Sequence, residues 1–130
     1  MKIKIQNLDK FLNLKKCNLI KLEAEQLETE ILKGGKKFLD KFRPIIISEN
    51  NPKNPYTLNK YLLSQNYKLF WFEYKFFNED NYLVNSNNYF KNSGKFYIFA
   101  FPKEKKIKDS DMVEIVRPDQ KNMSYNGNLQ

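Results

Sequence analysis

The sequence predicts an α/β fold, an open sheet with flanking helices. Three observations carry that prediction. Short apolar runs alternate with segments of 3.6-residue period, a triple-isoleucine run sits mid-chain, and proline or glycine marks most boundaries. A chain of 130 residues suits one small domain. Its hydrophobic content of 41%, with 11 Phe, 8 Tyr and one Trp, is enough to build a core.

The first strand is read at residues 18–22, a compact apolar run with a β-branched residue. From Ala24 the period changes. Leu27, Ile31, Gly35, Phe38 and Phe42 recur at three- and four-residue steps, one face of a single amphipathic helix. Glu25, Glu28 and Glu30 fall in its first half, and Lys33, Lys36, Lys37 and Lys41 in its second, which complements the helix dipole. Glu28 is expected to be solvated. Gly34 and Gly35 inside a helix cost up to ~1 kcal/mol each relative to Ala, so the pair is expected to let the helix approach the sheet closely. Pro44 ends the helix, because proline disfavours helical geometry in the residue before it.

Ile45, Ile46 and Ile47 run without alternation, which suits a strand covered on both faces, as in parallel sheets. Pro52 and Pro55 mark a loop, and a second helix follows over residues 56–65 through Leu58, Tyr61 and Leu62. YKLFWFEY (residues 67–74) is a third strand, with Trp71 in the core or in a loop wall. An Asn-rich loop covers residues 78–93, and a fourth strand covers 95–101. Residues 107–130 form a polar tail, with room for a short edge strand at 113–116 and a loose end from 121. The connections are expected to be right-handed crossovers.

Several chemistries are excluded. With no histidine, the chain cannot form a Ser-His-Asp triad, a Cys-His pair or a His-ligated zinc site. Acid–base work falls to carboxylates, Lys, Tyr or the single Cys17, which has no basic partner in view. No metal site is predicted. No apolar run is long enough to span a bilayer, and MKIKIQNLDK lacks the apolar core of a secretory signal; a cytoplasmic location is the expectation. The net charge of +8 is spread along the chain, and the Lys-, Asn-, Ile- and Phe-rich composition matches AT-rich coding. Nucleic-acid binding is therefore only an alternative.

In open sheets, ligands sit beyond the carboxyl ends of the strands. Glu23 and Glu25 follow the first strand, and Glu49 and Asn50 follow the second. Two readings stay open for these acids: a ligand crevice, or solvated carboxylates that favour a helix start.

Taken together, LDKF (residues 8–11), LIKLEAEQLE (19–28), ILKGG (31–35) and RPIIISEN (43–50) resemble the FkbM-type S-adenosylmethionine-dependent methyltransferases. That family carries a leucine-aspartate pair, then IKIDVEGxExxVLKGA, then RPIIxxE. The likeness reaches FAFPKE and covers about residues 5–106, taken as a domain over 1–106. It implies a partial Rossmann-like methyltransferase sheet, the C-terminal half from strand 4 onward, without the half that cradles the cofactor. It further implies O-methylation of a small molecule or glycan, with S-adenosylmethionine as cofactor and doubtful activity for the chain alone. By the same resemblance Leu22 and Glu23 lie on the cofactor side, Glu25 is the catalytic base, and Glu49 and Asn50 contact substrate. Glu23 replaces the family's aspartate, and Gln26 replaces a glycine. The implied partners are a separate N-terminal half, or a second copy pairing along the exposed edge of the first strand. A non-enzymatic remnant or interaction module is the other alternative.

Overall fold

The computed structural model describes residues 5–91, 93–107 and 112–122. A 3₁₀ turn, Leu8–Phe11, precedes β1 (Leu19–Leu22), α1 (Glu28–Lys33) and α2 (Lys36–Phe42). Then come β2 (Ile45–Glu49), α3 (Tyr56–Ser64), β3 (Tyr67–Lys75), β4 (Gly94–Pro102) and β5 (Val113–Ile115). The five strands form one sheet in the order β1-β2-β4-β3-β5. The loose end expected from residue 121 falls mostly on residues 123–130, outside the described ones.

The sheet is mixed rather than parallel. Only β1 and β2 run parallel; β2–β4, β3–β4 and β3–β5 are antiparallel. The β3–β4 ladder pairs nine residues, from Tyr67↔Pro102 to Lys75↔Gly94. It enters the sheet as a hairpin, so β4 rather than β3 lies beside β2. A crossover joins the parallel pair alone.

The helix read through Gly34–Gly35 is two helices, and the glycines serve a different neighbour. A Cβ on Gly35 would lie 2.5 Å from Leu8 Cβ and 2.8 Å from its Cδ1. The close approach is therefore to the 3₁₀ turn, not to the sheet. Next to it, the Phe38 N–H donates to Asp9 Oδ1 at 2.9 Å, which satisfies one of the open donors in the first turn of α2. Lys41 Nζ donates to the Leu12 carbonyl at 2.7 Å. The leucine-aspartate motif thus works as a latch, one residue filling the glycine notch and the next capping a helix 29 positions later.

β2 is buried on one face only. Ile46 and Ser48 are fully buried, while Ile45 and Ile47 keep partial exposure. A run of β-branched residues does not by itself distinguish one covered face from two. Leu32, Leu39, Leu58 and Leu62 from the helices pack with Ile46, Leu69, Trp71, Ile98, Ala100 and Ile115. All three helices thus cover the same side of the sheet.

Arg43 ends α2 in the left-handed region, at φ 46° and ψ 53°, a common helix-terminating conformation that is strained for a residue with a side chain. Its guanidinium grips both oxygens of Glu104, at 2.8 and 3.1 Å. It also donates to the carbonyls of Gln65 and Asn66, each at 3.0 Å, and lies 4.6 Å from the Tyr67 ring centroid. The Arg43 hydrogen bond holds the Glu104 carboxyl at about 2, below its usual 4.5. A lowered carboxyl value means stability present above pH 4.5 and lost as pH falls toward 2. Glu104 is half exposed, so screening keeps this contribution near ~1 kcal/mol. Denaturation midpoints measured from pH 6 to pH 2 should fall less steeply for Glu104→Gln than for the parent chain. Equal slopes would show that the pair adds nothing.

Candidate active-site crevice

A crevice of about 710 Å³ opens at the carboxyl ends of β1 and β2. Its walls come from the β1–α1 turn, the start of α1, the β2–α3 loop and the start of β4. The β1–α1 turn is sharply bent, with φ 45° at Glu25 and 79° at Gln26. Two consecutive left-handed residues with side chains store strain of roughly 1–3 kcal/mol each. The second stands where the resemblance expects glycine, which accounts physically for that preference. Glu28 holds the bend closed. It is only 6% exposed, and its Oε1 accepts from the Ala24 N–H at 2.9 Å. The expectation of a solvated Glu28 is thus corrected: it is a structural acid of the turn.

The structure brings Glu25, Glu49 and Asn50 to one crevice and directs Leu22 and Glu23 elsewhere. Leu22 packs against the core. The Glu23 carboxylate turns over the sheet face away from the helices, accepting from Tyr97 Oη at 2.8 Å and pairing with Lys21 Nζ at 2.7 Å. These two partners, Lys21 first, hold its carboxyl below the usual range. The pleat separates Leu22 from Glu23, one facing the helices and the other the opposite face. Glu23 shares that face with Glu49 and is held out of the crevice by Lys21 and Tyr97.

Glu49 pairs with Lys95 Nζ at 2.9 Å. Asn50 is 7% exposed, and its Nδ2 donates to Asn59 Oδ1 at 3.1 Å, while Asn59 Nδ2 donates to the Pro118 carbonyl at 3.0 Å. The Asn50 side chain therefore braces the crevice floor against α3. Lys53, Thr57 and Lys95 also line the space and were not singled out from sequence. Lys95 arrives on an antiparallel strand that begins 45 residues beyond the last paired residue of β2, and no local pattern announces that. Gly94 lines the crevice for a sheet reason: a Cβ there would meet the Tyr74 carbonyl at 2.4 Å. Among the described residues, no three acids or thiols gather as a metal site, and no helix is long and apolar enough to cross a membrane.

A protein-family model described as the methyltransferase FkbM domain matches residues 1–69. The chain belongs to the FkbM methyltransferase family. No curated protein and no solved structure gives a significant match. The FkbM match spans the Leu8–Asp9 latch, the β1–α1 turn, the glycine notch, the Arg43–Pro44 helix end and β2. It corrects the expected placement. The FkbM signature lies in the N-terminal portion of this chain, over residues 1–69, and is not the C-terminal half of the family's domain from strand 4 onward. The reading of a chain that lacks its N-terminal half, and is inactive or a remnant for that reason, falls with it.

Proposed function

We propose that the chain serves S-adenosylmethionine-dependent methyl transfer, with a hydroxyl-bearing small molecule or glycan seated in the crevice. The observation that carries this reading is the convergence of Glu25 and Glu49 on one crevice within the FkbM-matched segment. The donor set suits the cofactor. Glu25, Glu28, Glu30 and Glu49 outnumber Lys53 and Lys95 in the lining of a chain whose net charge is +8. An acidic crevice on a basic protein favours a cationic sulfonium and its ammonium group, and Lys53 offers a partner for the carboxylate. When bound, that cofactor supplies an electrophilic methyl group.

The chain's own residues orient the acceptor and move its proton. Glu25 is exposed at the mouth, with no hydrogen bond from its carboxylate to another described residue, and can take the acceptor's hydroxyl proton. Glu49, fixed by Lys95, and the Asn50–Asn51 turn offer hydrogen bonds that orient a polyhydroxylated acceptor. The test is methyl-labelled S-adenosylmethionine incubated with the protein and a panel of mono- and oligosaccharides. Label should pass to an acceptor. Glu25→Gln should lower the rate roughly a hundredfold while weakening cofactor binding far less, since Glu30 and Glu49 keep the crevice acidic. No heat on titration with the cofactor and no label transfer would overturn the proposal.

A further inference from the structure

The sheet face opposite the helices carries Ile45 and Ile47 from β2, Phe70 and Phe72 from β3, and Tyr97, Phe99 and Phe101 from β4. All are partly or well exposed, in alternation with the buried core residues. Phe72 and Phe99 stack at 4.9 Å, and Phe70 meets Phe101 edge-on at 5.9 Å. No described helix lies over them, since all three pack on the other face. The aromatic members all fall beyond residue 69, outside the FkbM match. An apolar field of this kind on a soluble face marks an interaction surface.

Its charges say what fits. The strand register sets one row straight across the sheet: Lys21, Ile47, Phe99, Phe70, Glu114. A lysine stands at one end, a glutamate at the other, and three apolar residues lie between. The Lys21 ammonium leans over the same face, 6.0 Å from the Tyr97 ring centroid. Among the described residues this face is balanced in charge, with Lys21, Lys68 and Lys95 against Glu23, Glu49 and Glu114, although the chain carries +8. A basic partner or an anionic surface would call for an unbalanced face. A second copy calls for a balanced one.

We propose that two copies of this chain pack these faces together about a two-fold axis running along the strands. That axis reverses the row, so Lys21 meets the partner's Glu114, Glu114 meets the partner's Lys21, and Phe99 packs on the partner's Phe99. It also keeps the strands of the two sheets aligned, the usual geometry of stacked sheets at ~10 Å, a gap that a lysine and a glutamate bridge together. A two-fold axis running across the strands would instead set Lys21 against the partner's Lys21. The sign of the end charges therefore selects the axis, and the contact is isologous and closed.

Sedimentation velocity on the full chain tests this up to about 100 µM, a range that detects micromolar association. The expected mass is twice the chain's 15.7 kDa. Glu114→Lys alone, and Lys21→Glu alone, should each raise the dissociation constant roughly tenfold or more, because each sets like charges opposite one another. The double exchange should restore parental affinity. Phe99→Gln should dissociate the dimer while the far-ultraviolet circular dichroism stays unchanged. A monomer throughout the range would overturn the proposal, whether another partner or residues 123–130 cover the face. A dimer indifferent to both charge reversals would overturn it equally.

Discussion

Gly35→Ala should lower stability by about 3 kcal/mol, at the upper end of what overpacking costs. The added Cβ would sit 2.5 Å from Leu8 Cβ, a distance that no rotamer change at Leu8 can relieve. Either α2 shifts or the 3₁₀ turn comes away, and in the second case Asp9 no longer caps α2 through Phe38. Both routes lose contacts. For a chain of this size the melting temperature should drop by roughly 10 °C. The variant Gly35→Ala/Leu8→Gly separates steric cause from helix propensity. Deleting the Leu8 side chain frees the notch, so the double variant should be more stable than the sum of the single effects by at least about 1 kcal/mol. Additive losses would mean that the notch is not what disfavours alanine.

Arg43→Ala is expected to cost somewhat less, about 2 kcal/mol, by a different mechanism. Its guanidinium serves four acceptor contacts from two parts of the chain: the two oxygens of Glu104 and the carbonyls of the adjacent Gln65 and Asn66. Asn66 O keeps a second donor in the Lys103 N–H at 3.0 Å. The loss should therefore centre on Gln65 O, on the ion pair and on the packing over Tyr67. Arg43→Lys retains the charge but not the planar fork, so it should recover less than half of the loss in a urea titration. Full recovery by lysine would reduce the role of Arg43 to charge alone.

The strand segments were legible because a strand's composition reflects how it is buried, and YKLFWFEY and KFYIFAF carry strong alternating or aromatic signals. Their neighbours were not. Alternation reports which residues face the core, and nothing in residues 67–74 or 95–101 records that β4 inserts between β2 and β3. The Gly34–Gly35 break was visible as a cost, but its purpose depended on Leu8, which is distant in sequence. Arg43 read only as the residue before a proline, because its main partner lies 61 positions away. The crevice was partly legible. Glu25, Glu49 and Asn50 stand at carboxyl ends of strands, where the sheet geometry brings side chains together, whereas Glu23 is drawn away by Lys21 and by Tyr97 from a strand distant in sequence. The family pattern itself was legible as motifs, and its extent was not, since the aromatic segments past residue 69 looked like part of it.

The position of β4 beside β2 has a consequence for synthesis. A ribosome delivers β2 some 45 residues before the first residue of β4, and until then β2 has only four-residue β1 as its hydrogen-bonding neighbour. During that interval the isoleucine strand of the nascent polypeptide presents a bare edge to solvent or to any chaperone within reach. Closure must wait for the β3–β4 hairpin to emerge whole, which makes a strand translated much later the one that protects β2.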